Sequence, residues 1–301
     1  MDNHQVSGKR FLAVTLLNAG ITVVEIVGGI FSGSLALLSD AFHNLGDSLS
    51  IIMSYFAQVI AGRPENRRRT YGYRRAQIIA AWLNALFLII VAIFLIVEAV
   101  RRLSHPQHIK GGIMLIVAVV GLLANFASAA LLHSGSHDSL NVKATYLHVL
   151  SDALASIAVM LGGLVLMFAY VPWLDPVLTI GVSLYVAKEA WPIIVQTTSI
   201  LMQDSPQLDY PAIIRDVKKI DGVENVHHIH AWQIDEHRIV FSLHINCQDM
   251  LLSQCEQIYT QIEHLLRSKY HISHVTIQAE CSRGRDEEVF NTKDDQQNIC
   301  H

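Results

Sequence analysis

Six stretches of the chain, residues 11–31, 35–61, 77–100, 112–132, 144–170 and 174–200, are long and mainly apolar. A run of roughly 20 such residues reaches across a bilayer as a helix. These runs therefore predict six transmembrane helices in a domain covering residues 1–203. The rest is mixed and polar, which predicts a second, soluble domain over 204–282 and a mobile tail over 283–301. Composition points the same way: 51% of the chain is hydrophobic and 16% charged, against about 25% charged in an ordinary soluble domain. The first run is too long for a signal peptide and lacks a small-residue cleavage site, so it is expected to remain as a span.

Six spans place both termini on one side. Basic residues choose that side, because cytoplasmic loops are enriched in them. Lys9, Arg10, Arg63, Arg67, Arg68, Arg69, Arg74, Arg75 and Lys143 fall on the face that carries the termini, and only Arg101, Arg102 and Lys110 on the other. Both termini are thus expected in the cytoplasm of a cell whose plasma membrane holds the protein. Cys247, Cys255, Cys281 and Cys300 then sit in a reducing compartment, free or metal-binding rather than paired in disulfides.

In the soluble part, the pattern reads as helix (209–220), strand (223–234), strand (237–247), helix (250–269) and strand (272–279). "IVFSLHI" alternates like a half-buried strand, and "QCEQIYTQIEHLLRSKY" has helical spacing. The sum is a small two-layer α+β unit. His227, His228, His230, His237, His244, His264, His271 and His274 make it rich in imidazole. The two-residue period of a strand would place His227 opposite to His228 and His230.

Within the apolar runs, "DAFHNLGDSLS" carries His43 and Asp47, and "ATYLHVLSDALAS" carries His148 and Asp152. Each pair is four residues apart, one helical turn, and so shares a helix face. A carboxylate at the bilayer centre costs about 2.5–3.5 kcal/mol on insertion scales and needs a compensating partner. One such pair could serve simply as an interhelical hydrogen bond, but two matched pairs favour a shared ligand set. Facing each other, they offer two imidazole nitrogens and two carboxylate oxygens, a set suited to tetrahedral Zn²⁺ and poor for Mg²⁺ or Ca²⁺, which prefer oxygen. Ligands must lose protons to bind metal, and histidine titrates near ~6.5 in model peptides, so metal and H⁺ are natural counter-ions at this site. Asn18, Glu25, Asn84, Glu98 and Asn125 read as polar links between helices. Asp175 reads as a helix start with Pro176 behind it, and Asn44 is expected to leave the ligand face and tolerate alanine.

Six spans, HNLGD in the second, HVLSD in the fifth, a GRP-plus-basic loop before "YGYRRAQ" and a tail reading "GVENVHHIHAW…SLHI" together resemble the cation diffusion facilitator family. The likeness runs from about residue 8 to 281, and the His-Asp/His-Asp set is similar to that of its zinc-exporting members. The resemblance implies a homodimer in the lipid bilayer that exchanges cytoplasmic metal for external protons by alternating access. It implies a ferredoxin-like cytoplasmic domain that dimerises and holds regulatory Zn²⁺. The positions matching the family's regulatory ligands are His227 and His244, with His274 and Glu280 matching a later histidine and acid of some members. A Cd²⁺, Co²⁺, Ni²⁺ or Fe²⁺ preference on the same fold, or a passive channel, remains as the alternative. An enzyme is disfavoured, since no HExxH motif occurs and no serine or cysteine in the spans is paired with a base. Nothing in the sequence points to nucleic acid or a soluble protein partner.

Overall fold

The computed structural model describes the backbone of residues 3–133 and 140–285, and the side chains of 15–130 and 150–285. Six long helices come first: α1 (Asn3–Ser32), α2 (Leu35–Ala61), α3 (Arg75–Ser104), α4 (Gly111–His133), α5 (Leu140–Phe168) and α6 (Leu174–Leu201). Several outrun the apolar stretch that announces them, because the i→i−4 hydrogen-bond ladder continues into polar flanks as readily as through apolar ones. Five of the six are long and apolar enough to cross a membrane. The exception, α2, has 27 residues but carries Asp40, His43, Asn44 and Asp47 where apolar side chains would stand.

By its internal contacts the chain forms two compact units, residues 1–57 with 80–195, and residues 58–79 with 196–301. In the first, Ala36 and Leu37 of α2, Ala85 of α3, Met114 of α4, Val159 of α5 and Val186 of α6 form a buried cluster. Small residues let backbones close up, which is the main packing device between helices in lipid. A Cβ on Gly163 would lie 2.9 Å from the backbone nitrogen of Leu115, so α4 and α5 touch backbone to backbone there. The outward surface is apolar: Phe31, Phe94, Ile116 and Phe168 are all more than 60% exposed. In water such a surface would be a liability, whereas hydrocarbon chains solvate it.

Helix α2 begins in an unusual way. Gly33, at φ 77°, ends α1 with a left-handed turn that favours glycine. The buried Asp175 carboxylate, from the start of α6, then accepts hydrogen bonds from the hydroxyl of Ser34 (2.5 Å) and the backbone N–H groups of Leu35 (2.9 Å) and Ala36 (3.2 Å). An anion at a helix N-terminus satisfies orphan donors and complements the helix dipole. Asp175, expected to start its own helix, therefore caps another one.

The second unit contains α7 (Tyr210–Val217), β1 (Val223–Asp235), β2 (Arg238–Cys247), α8 (Leu252–Tyr270) and β3 (His274–Glu280), close to the elements predicted from sequence. The sheet order is β1-β2-β3. β1 and β2 are antiparallel across a two-residue turn, while β2 and β3 are parallel, so α8 supplies the crossover that parallel strands require. Phe241, Leu243, Ile245 and Cys247 alternate along β2 and face Ile213 of α7 and Ile258, Ile262 and Leu266 of α8. The intervening Ser242, His244 and Asn246 consequently point to the other face of the sheet. That face carries the histidines.

Candidate metal sites

The first site joins α2 to α5. His43 and Asp47 lie one turn apart on α2, with Nε2 of His43 3.9 Å from Oδ2 of Asp47. The same Nε2 lies 3.1 Å from Oδ1 of Asp152 on α5. Two ligands each about 2.0–2.1 Å from a tetrahedral ion stand about 3.3 Å apart, so the two observed separations bracket what a Zn²⁺ ion needs. His43 and Asp152 are 5% and 2% exposed, whereas the Asp47 side chain is 22% exposed. Of these three side chains, that of Asp47 is the most exposed. The ring of Tyr185 from α6 meets His43 edge-on at 6.4 Å between centroids. His148, the fourth residue expected here, is on α5 one turn before Asp152, but its side chain lies outside the described residues.

A ring of polar residues supports these ligands. Asn44 does leave the ligand face, but it is buried and donates from Nδ2 to Oε2 of Glu25 on α1 at 2.8 Å. The expectation that it would tolerate alanine is corrected accordingly, since truncation would strip a buried carboxylate of its donor. The Ser156 hydroxyl donates to Asp40 at 3.0 Å and accepts from Asn125 at 3.2 Å, so α2, α4 and α5 are tied at the level of the site. Glu25 and Asn125 thus act as the interhelical links expected of them, whereas Glu98 pairs within its own helix with Arg101 and Arg102.

The second site lies on the sheet of the second unit. His227 and His244 are direct partners across β1 and β2. Nε2 of His227 is 3.2 Å from Oε2 of Glu280 on β3, and Nδ1 of His244 is 3.2 Å from its other oxygen, Oε1. One ligand atom from each of the three lies within 4.8 Å of the others. The buried Nδ1 of His227 has no hydrogen-bond partner. Burial, outweighing the Glu280 carboxylate, holds the His244 imidazole below the usual histidine range, which keeps its nitrogens available to a metal.

Two expectations are corrected on this sheet. Strand parity put His228 with His230 and opposite to His227, but β1 is irregular between His227 and His230. His228 takes φ 49° there, a β-bulge that inserts one extra residue. Val226 and Ile229 consequently both reach the core, and His228 turns to the histidine face. Its ring lies 4.5 Å from that of His244 and 4.7 Å from that of His230. His274 is not brought to the cluster. It opens β3 six positions before Glu280, a distance of about 20 Å along a strand, and packs edge-on against Tyr71 at 6.1 Å.

The chain just beyond β3 closes over His227. A Cβ on Gly284 would fall 2.1 Å from Nε2 of His227, so only glycine fits, and its φ of 66° suits glycine too. Asn246 and Asn225 donate to the backbone carbonyls of Arg283 (2.8 Å) and Arg285 (3.4 Å) and hold this segment in place. Among the cysteines, burial pushes the Cys247 thiol up to about 11, which disfavours it as a thiolate ligand. Cys255 is also buried and Cys281 exposed.

Family models match nearly the whole chain: the cation efflux transmembrane domain over residues 11–202 and the cation efflux protein cytoplasmic domain over 205–282. The chain is 38% identical over 277 residues to the zinc transporter ZitB of Escherichia coli, covering 91% of this chain and 88% of that protein. It is 34% identical over 284 residues to a cadmium, cobalt and zinc/H(+)-K(+) antiporter of Bacillus subtilis, covering 93% and 91%. It is 34% identical over 280 residues to the metal cation efflux system protein CzcD of Cupriavidus metallidurans, covering 92% and 88%.

Proposed function

This chain belongs to the cation efflux family and is a divalent metal transporter, not an enzyme; on that premise we propose that it exports Zn²⁺ from the cytoplasm in exchange for H⁺. The observation that carries the reading is the convergence of His43, Asp47 and Asp152 from two helices within an apolar bundle. His148, one turn before Asp152, completes the set as the fourth ligand. In this reading α2 is the sixth span, because its polar residues turn inward to the site while Ile52, Tyr55, Phe56 and Val59 stay exposed. Both termini are cytoplasmic, the membrane domain ends near residue 203, and the αββαβ unit over 204–282 is a ferredoxin-like domain that dimerises and senses metal through His227, His244 and Glu280.

The coupling follows from ligand chemistry. A metal ion and protons compete for the same lone pairs, so loading from a near-neutral cytoplasm expels protons and exposure to a more acidic outside favours their return with release of the ion. Alternating access requires that the site open to one side at a time. A carrier cycle suits one compact site, whereas conduction through a channel requires weak or multiple sites.

The relatives named for cadmium and cobalt support a wider cargo range on the same ligands. A single set of two nitrogens and two oxygens discriminates poorly among late divalent ions by affinity alone. The test is metal uptake into everted proteoliposomes, with and without an acidic lumen, across Zn²⁺, Cd²⁺, Co²⁺, Ni²⁺, Fe²⁺ and Mn²⁺. Zn²⁺ accumulation driven by the pH gradient is expected. Gradient-independent flux would replace the antiporter with a channel.

A further inference from the structure

The turn between α2 and α3 is ordered by its own hydrogen bonds. Oδ1 of Asn66 accepts from the backbone N–H groups of Arg68 (2.9 Å) and Arg69 (3.0 Å), and Nδ2 of Asn66 donates to the Tyr73 hydroxyl at 2.9 Å. Asn66 and Arg69 also exchange backbone bonds at 3.2 and 3.0 Å. This turn, the start of α3 and β1 of the same unit enclose a cavity of about 610 Å³. That volume falls within the usual range for small-ligand sites, roughly 300–1,000 Å³.

The lining is cationic. Arg68, Arg69, Arg74 and Arg75 contribute to it and no acidic side chain does. Arg74 is partly neutralised by Asp235 at 3.7 Å, and the Arg69 guanidinium stacks 4.8 Å above the Tyr73 ring, which leaves its donors free to face outward. Nε of Arg75 is buried and has no hydrogen-bond partner, an unusual state for a charged group that calls for an acceptor. Arg75 and Ala76, the first residues of the 30-residue helix α3, line the same space. Tyr71 and Trp232 add the amphipathic rings typical of the membrane–water boundary. The lining also includes Ile60 at the end of α2 and Ile79 in the first turns of α3, 37% and 46% exposed. An apolar lane therefore leads from the cationic cavity onto the lipid-facing surface.

We propose that this cavity binds the phosphodiester head group of an anionic phospholipid, with the guanidinium groups on the phosphate and the acyl chains over Ile60 and Ile79. A soluble phosphate would find the same cations but would have no use for the apolar lane. The inference rests on reading α2 and α3 as membrane spans, and its test reads lipid binding, not metal flux, so either reading can fail without the other.

The test is native mass spectrometry of the full chain in detergent, titrated with phosphatidylglycerol or with phosphatidylcholine of identical chains. Preferential retention of one phosphatidylglycerol per protomer is expected. Arg75→Gln and, separately, Arg68→Gln should each weaken that retention about fivefold, the effect of removing one basic residue near an anionic head group. Lys110→Gln, outside the cavity, should leave it unchanged. Arg68 is exposed, so its variant carries the test should Arg75→Gln fail to fold. Equal retention of the two lipids, or wild-type retention in the Arg68→Gln variant, would overturn the proposal. Displacement of phosphatidylglycerol by equimolar glycerol 3-phosphate or inorganic phosphate would overturn it as well, and would identify a soluble-anion site instead.

Discussion

The Asp152 carboxylate meets the His43 imidazole at 3.1 Å across 109 residues of chain. This contact brings the HxxxD turn of α2 to the aspartate of the second HxxxD motif, on α5. Asp152 is also 2% exposed, and a carboxylate within an apolar bundle requires a compensating partner. Asp152→Ala should abolish Zn²⁺ uptake into proteoliposomes, by more than about 100-fold given that even outer-shell changes at metal sites cost 10–100-fold. Asp47→Ala should do the same, with both variants still dimeric on size-exclusion chromatography. Near-normal flux from both would remove the site from the mechanism.

In the proposed four-ligand site, His43 is expected to set the metal preference. With His43 and His148 the site has two neutral and two anionic ligands, which match the charge of a divalent ion. His43→Asp makes it three carboxylates and one imidazole, harder and more negative. The variant should still carry Zn²⁺ but gain Cd²⁺, and to a lesser degree Mn²⁺, relative to wild type. Its pH optimum should also move, since a group titrating near ~6.5 in model peptides is replaced by one near ~3.9. An unchanged Cd²⁺/Zn²⁺ uptake ratio would mean that selection lies elsewhere.

Asp175 holds the start of α2, the helix that bears His43 and Asp47. Asp175→Ala leaves the buried N–H groups of Leu35 and Ala36 without their acceptor. Loss of a helix cap costs about 0.5–2 kcal/mol, and buried unsatisfied donors put this case at the upper end. A lowered thermal midpoint in detergent is expected, together with faster hydrogen exchange confined to the first turns of α2. Exchange unchanged at Leu35–Leu38 would show that the cap carries no weight.

The cytoplasmic cluster should bind metal independently of the membrane site. In an Asp152→Ala background, which disables the transport site, calorimetry should still register Zn²⁺ binding to the full chain. Adding His227→Ala and His244→Ala should eliminate that remaining binding. With Asp152 intact, the double variant should transport with a raised half-saturation for Zn²⁺ but a preserved maximal rate. Unchanged stoichiometry in the calorimeter would reduce the two histidines to a structural pair.

Asp216 ties α7 to α8 through Lys269 (2.5 Å) and the Tyr270 hydroxyl (2.8 Å), and also accepts from Lys219 (2.8 Å) just beyond its own helix. The hydrogen bonds from Lys219, Lys269 and Tyr270 hold its carboxyl well below the usual carboxylate range. A depressed carboxyl pKa stabilises the fold above the unfolded value near ~3.9 and loses that stabilisation as pH falls through the lower folded value. Asp216→Asn should thus be less stable than wild type at neutral pH, with the gap narrowing below pH about 4. A gap that is constant down to pH about 2 would assign the effect to packing rather than charge.

The sequence alone determined what depends on neighbouring residues. The apolar runs located the six long helices, though α1 begins eight residues before its run, and i, i+4 spacing placed His43 with Asp47 and His148 with Asp152 on shared helix faces. Alternation set the strands, and the family resemblance singled out His227 and His244, which the structure pairs across β1 and β2. What it could not decide depends on which elements are neighbours. Lipid-facing and protein-facing apolar surfaces look alike in a membrane sequence, so nothing local told that Asp175 would cap α2 from 140 residues away or that Asn44 would meet Glu25. The β-bulge at His228 escaped for a related reason. One inserted residue reverses the parity of a strand, and only the packing of both Val226 and Ile229 into the α7–α8 core fixes where that residue goes. His274 shares the face of Glu280 by parity but stands six residues down the strand, and only the tertiary structure, which seats it against Tyr71, separates it from the cluster.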